Sequence, residues 1–152
     1  VKNLENNNLR SILQMIVRRF GFLSEKCCEN CCGENISLVQ SHIIYEISRK
    51  EGSSMQEVAG ALGIDITTFS RQVKTLVEQG VVKKTPHHSD NRVNILRLTS
   101  KGIEIESKIN NEMFSYLNQI LSNLSEYERD SVLRSLKLLD AAMKSADCCP
   151  PK

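Results

Sequence analysis

All six cysteines of this 152-residue chain stand in adjacent pairs: Cys27-Cys28 and Cys31-Cys32 within one six-residue window, and Cys148-Cys149 near the other end. Burial as packing would scatter small apolar side chains along helix faces, whereas these lie among polar residues, so core filling explains them poorly. Thiolates are soft ligands that select zinc, copper(I) or a trivalent metalloid such as arsenite. Cys28-x-x-Cys31 has the spacing of one half of a zinc site. Four ligands from one hexapeptide would strain a tetrahedron, because neighbouring side chains point apart. A better site takes two or three thiolates from the loop and another from Cys148 or Cys149, of the same chain or of a second copy. His42 could lend a nitrogen, although a lone histidine reads first as an ordinary helix residue. The competing chemistry is disulfide formation. It needs a thiol of lowered pKa, which Lys26 favours and Glu29 and Glu34 oppose. A catalytic dithiol at Cys28-Glu29-Asn30-Cys31 would open a helix in a strand-helix-strand setting. The surrounding pattern offers no such setting, so no enzyme is expected.

A second chemical feature is the placement of cations. Residues 67–101 hold seven Lys/Arg against two Asp/Glu, while the flanking segments are slightly acidic and the whole chain is only +2. A basic middle between near-neutral ends suits a phosphate-facing module on a scaffold. The plain alternative is a solvated charged face. The polar start, Val1 to Asn8, lacks the apolar run of an export signal, and no stretch is long and apolar enough to span a membrane. A cytoplasmic protein with reduced thiols is expected.

These residues must be positioned by elements readable from periodicity and punctuation. Leu9, Ile12, Leu13, Ile16, Val17 and Phe20 recur at helical spacing and predict a helix over about 4–24. A second helix is expected over 37–50, with Val39, Ile43, Ile44 and Ile47 inward. Ser54 and Glu57 form a capping box that opens a short helix, 55–62, packed through Val58, Ala59 and Leu62. Gly63 and Ile64 make a turn, and Asp65 caps the next helix, 66–79, which buries Phe69, Val73, Leu76 and Val77. Residues 81–85 and 93–98 read as strands joined by a polar tip. Thr99 caps a long helix reaching about Leu124, with Ile103, Ile109, Met113, Leu117, Ile120 and Leu121 inward. Ser125 and Glu128 box the last helix, which carries Val132, Leu136, Leu139 and Met143. The fold expected is mainly α with a small β-wing: a winged helix-turn-helix domain plus a helical dimerisation region.

The order of these parts resembles the MarR family, the multiple-antibiotic-resistance type of regulator. The resemblance is carried by Val58-Ala59-Gly60-Ala61-Leu62-Gly63-Ile64-Asp65, by Gln79-Gly80-Val81-Val82, by Ser89-Asp90-Asn91-Arg92 and by Leu98-Thr99-Ser100-Lys101-Gly102. Gln72 departs from it, standing where the family often has an apolar residue. The resemblance implies an obligate homodimer and a double-stranded DNA operator of two half-sites. The implied division is 1–36 and 103–147 for the dimerisation region, 37–102 for the winged helix-turn-helix, and 148–152 for a cysteine-containing tail. The terminal helices carry more apolar surface than so small a wing domain can cover.

A recognition helix meets base edges with its N-terminal polar residues, which makes Thr67, Thr68, Ser70, Arg71, Lys74 and Thr75 candidates. Arg71 is the best base reader, since a guanidinium pairs bidentately with guanine; a phosphate contact is its alternative. Arg92 fits a narrow minor groove, and the resemblance also places an Arg there. Asp90 pairs with Arg92 or orders the turn. Lys83, Lys84 and Lys101 read as phosphate neutralisers. The functional expectation is a dimeric bacterial repressor whose DNA affinity responds to a soft metal or metalloid inducer, such as arsenite, zinc or copper, at Cys27, Cys28, Cys31, Cys32, Cys148 and Cys149. The alternative is a repressor switched by disulfide formation.

Overall fold

The computed structural model describes residues 2–20 and 35–145. In chain order these form α1 (Lys2–Arg19), α2 (Leu38–Arg49), α3 (Met55–Leu62), α4 (Ile66–Glu78), β1 (Val82–Pro86), β2 (Asn94–Leu98), α5 (Ser100–Leu121) and α6 (Glu126–Ser145). The mainly helical class with one small hairpin is as the sequence predicts. The Cys27–Cys32 loop and Cys148-Cys149 lie outside the described residues.

Helix starts follow from local capping chemistry. The Ser37 hydroxyl accepts the Gln40 amide at 3.2 Å while Gln40 Oε1 accepts the Ser37 amide at 2.9 Å. Ser54 and Glu57 make the same reciprocal pair at the head of α3, at 3.2 and 2.8 Å. Each pair satisfies two of the amides that a helix start leaves free. Ser125 and Glu128 repeat the arrangement before α6. Between α3 and α4, Gly63 takes φ 63°, a left-handed geometry suited to glycine, and the Ile64 amide donates to the Ala59 carbonyl at 3.0 Å. Ala59 is small and buried where α3 meets its neighbours, and Ile64 packs as a plug against the core.

The core sits among α2, α3, α4, the hairpin and the first turns of α5. Ile36, Ile43, Ile44, Ile47, Val58, Phe69, Val73, Leu76, Val81, Val82, Leu96 and Ile105 are buried there. β1 and β2 pair antiparallel with Val82 opposite Leu98 and Lys83 opposite Arg97. An isolated bridge from Ser54 to Ile95 and a bond from the Leu96 amide to the Ser53 carbonyl at 2.9 Å add a short third edge.

Several expected inward residues face out. Val39 is 40% exposed, Val77 39% and Ile103 58%. In α5 the inward stripe instead runs from Ile105 to Ile109, four residues on. Ile103 lies about 200° around the helix from Ile105, so only one of them can join the core. The faces of α1 and α6 expected to be inward are also open in the single chain, with Leu9 at 56%, Leu136 at 55% and Met143 at 65%. The end of α1 touches α5: the Tyr116 hydroxyl donates to the Arg19 carbonyl at 3.2 Å, and the Phe20 and Tyr116 rings meet edge-on at 6.1 Å.

Candidate nucleic-acid interface

α4 buries Phe69, Val73 and Leu76 on one side. Helical periodicity then turns Thr67, Thr68, Ser70, Arg71, Lys74 and Thr75 outward, and all six are exposed. Asp65 Oδ1 accepts the Thr68 amide at 2.9 Å and fixes the start of the helix. Hydrogen bonding from the Thr68 side chain, then from its amide, holds the Asp65 carboxyl below its usual range. Along the exposed face, the Thr75 hydroxyl donates to the Arg71 carbonyl at 3.2 Å, so Thr75 is engaged within its own helix. Lys74 lies 3.9 Å from Glu78, an exposed pair that contributes little to stability.

The hairpin brings a second set of polar groups to this helix. Lys84 and Arg92 line a hollow of ≈ 300 Å³ together with Ser70 of α4 and with Ser54 and Gln56 at the start of α3. Three of the candidates chosen from sequence therefore meet at one groove between helix and wing. Gln56 and Asn94 line it too; sequence reasoning missed both, because only the tertiary approach of α3 to the hairpin marks them.

The turn before Arg92 is built by Asp90. Its Oδ1 accepts the Arg92 amide at 2.9 Å, and its carbonyl accepts the Val93 amide at 3.0 Å. Of the two roles open to Asp90, the geometry displays the ordering of the turn. At the tip, His87 Nδ1 accepts the Ser89 amide at 3.2 Å, and the His87 and His88 rings lie tilted by 35° with centroids 4.2 Å apart.

Lys83 and Lys101 are brought elsewhere. Lys83 alternates with Lys84 along β1 and lines a different hollow with Arg97. Lys101 Nζ donates to the Gln79 carbonyl at 3.2 Å, at the C-terminal end of α4, where a cation complements the helix dipole. Gln79 also donates from Nε2 to the Asn35 carbonyl at 3.4 Å, while its buried Oε1 has no partner among the described residues. Thr99 completes this junction. Its hydroxyl lies 2.6 Å from the Gly80 carbonyl, and the same oxygen accepts the Gly102 amide at 3.0 Å.

Among the described residues, no cluster of three or more His, Cys, Asp or Glu could hold a metal ion. All six cysteines lie outside that set, and His42 is an exposed residue on α2. No helix among the described residues is long and apolar enough to cross a membrane.

Comparison with known proteins places this arrangement. The chain is 31% identical over 119 residues to the HTH-type transcriptional regulator BilQ of Clostridium symbiosum, covering 78% of this chain and 82% of that protein. It is 25% identical over 138 residues to BilQ of Clostridioides difficile, covering 91% of each. In fold it resembles Streptococcus pneumoniae FabT in complex with DNA, with a TM-score of 0.78 at 21% identity over 95% of this chain and 99% of that one. The S. aureus MepR–DNA complex aligns with a TM-score of 0.71 at 18% identity, covering 88% of this chain and 96% of that one. The sequence pattern of the MarR family matches residues 36–93. A capped helix-turn-helix followed by a wing, in a chain so related, identifies it as a member of the MarR family of transcriptional regulators.

Proposed function

We propose that the chain is a dimeric repressor that lays α4 in the major groove of a palindromic operator and reaches the flanking minor groove with its wing. The observation that carries this reading is the groove shared by Ser70, Lys84 and Arg92, continuous with the polar face of α4. Helix and wing thus offer donors and cations to one stretch of duplex, as base reading and phosphate neutralisation together require. Two solved relatives in fold, FabT and MepR, were determined with DNA. The proposed division keeps 37–102 for DNA, 1–36 and 103–147 for dimerisation, and 148–152 as the tail. The open apolar faces of α1, α5 and α6 suit a second copy of the chain. A DNA operator as target sets the site of action in the cytoplasm.

The inducer in this reading is a soft metal or metalloid bound by thiolates of Cys27, Cys28, Cys31, Cys32, Cys148 and Cys149. The contact from Gln79 to Asn35 supports it, because it ties a residue three positions after Cys32 to the end of α4. Disulfide formation by the same cysteines is the second reading, and it would use the same tie. Fluorescence anisotropy on a duplex selected from random sequence tests the whole proposal. Titrations would include arsenite, zinc, copper(I) and peroxide. Tight, salt-sensitive, sequence-selective binding is expected, weakened by one of the thiophilic ions. Equal affinity for random duplex would overturn the operator reading; indifference to all four agents would overturn the sensor reading alone.

A further inference from the structure

We infer that the hollow behind the wing, on the face turned away from Lys84, is a binding site for a small amphipathic zwitterion. It has a volume of ≈ 350 Å³ and is walled by the end of α2, the outer face of the hairpin and the first turns of α5. That lies at the lower end of the size range of small-molecule sites.

Charge sets this hollow apart. Lys83 and Arg97 stand directly opposite each other in the antiparallel register, and like charges so placed repel. Glu51 offsets this in part, 4.0 Å from Arg97 and itself 83% exposed. That leaves Lys83 without an ion-pair partner among the described residues. Glu106, half-buried on α5, lines the same hollow and is also without one among them. The two do not pair with each other. Ile47, Leu98 and Ile103 line the same hollow and give it apolar surface, and Ile103 is 58% exposed. A cation and an anion that line one hollow with apolar side chains and do not pair with each other are complementary to a molecule carrying a carboxylate, an apolar stem and an ammonium. The carboxylate sits between Lys83 and Arg97, the stem on Ile103, and the ammonium at Glu106. The hollow shares no lining residue with the groove of Ser70, Lys84 and Arg92, so the site stands or falls independently of the operator reading.

The test is isothermal titration of the full-length protein with 6-aminohexanoate, and with hexanoate and hexylamine as single-charge controls. K83Q and E106Q are compared with K144Q, an exposed α6 position outside the hollow. Saturable binding of the zwitterion is expected. Each lining substitution should weaken it about tenfold, as loss of a charge-assisted contact would, and K144Q should leave it unchanged. Circular dichroism melts confirm that the variants fold. The site is refuted by absent saturation, by affinity that survives both lining substitutions, or by equal affinity for either single-charge control.

Discussion

The Asp90 carboxylate accepts the backbone amide of Arg92 at 2.9 Å, so the residue that presents the wing's guanidinium is oriented by an acid two positions earlier. An acid in a loop proposed to face phosphate is thereby explained without contact to DNA. It also defines the first prediction. D90A should loosen the turn and weaken operator binding about three- to tenfold, equivalent to roughly 0.5–1.5 kcal/mol for one hydrogen bond. Thermal stability should barely change. An unaltered anisotropy isotherm would show that the turn does not position Arg92 on DNA.

Arg71 and Lys84 should separate base reading from phosphate neutralisation. R71A is expected to cost about 1–3 kcal/mol and to relax selectivity at one base position. K84A should weaken all duplexes alike and lower the salt slope by about one. Affinities measured over a salt series on matched and single-substituted duplexes distinguish the two. If R71A behaved like K84A, Arg71 would be a phosphate contact.

Gly102 has no room for a side chain. A Cβ there would sit 2.1 Å from the Val81 carbonyl oxygen and 3.3 Å from Leu98 Cβ. Both neighbours belong to the hairpin base, and the nearer one is backbone, which cannot swing aside. G102A should therefore destabilise the fold by at least ~1–3 kcal/mol, read as a lower urea midpoint. G60A, where nothing lies within 4 Å, is the control and should be neutral or mildly stabilising.

Glu57 sets an acid dependence for the head of α3. Hydrogen bonding to the Ser54 backbone, then to the Lys50 side chain, lowers its pKa from 4.5 to about 2. A carboxylate depressed on folding contributes stability that is complete above its unfolded value and lost as pH falls through its folded one. The contribution should therefore persist above pH 4.5 and fade towards pH 2. E57Q retains a capping amide but should flatten that part of the stability–pH curve. A curve of unchanged slope would count against the assignment.

On the open face of α6, Leu133, Leu136 and Leu139 are each more than 40% exposed in the single chain. L136D should shift the protein towards monomer in sedimentation velocity and weaken operator binding with it. A dimer that survived this change would move the interface elsewhere.

The starts of α3, α4, α5 and α6 were legible because capping is a contact between residues three apart, whereas the Ser37–Gln40 box of α2 was not read from the sequence. Ser54 with Glu57, Asp65, Thr99, and Ser125 with Glu128 each declare a helix without help from the rest of the chain. Inward faces were less legible. In α5, Ile103 and Ile105 offer two incompatible stripes, and only the approach of the hairpin and α2 selects the second. Ile36, fully buried, precedes its helix and carries no periodicity at all. Polar residues on α4 were found by position alone, whereas Gln56 and Asn94 depend on how α3 meets the wing. The separation of Lys83 from Lys84 follows from the period-two alternation of a strand. A reading based on charge count alone could not assign the two lysines to different faces.

The junction at Thr99, Gly80, Val81 and Gly102 leaves no slack between the end of α4, the root of the hairpin and the start of α5. Helix, wing and α5 must therefore turn together, with α5 acting as the shaft. Its 22 residues make a rod of ~33 Å, so a tilt of ~5° at one end carries the other by ~3 Å. That is close to the ~3.4 Å rise of one base pair along each strand of the duplex. For a dimer gripping two half-sites, an angular change too small to disturb the core would be enough to put the two heads out of step with the double helix.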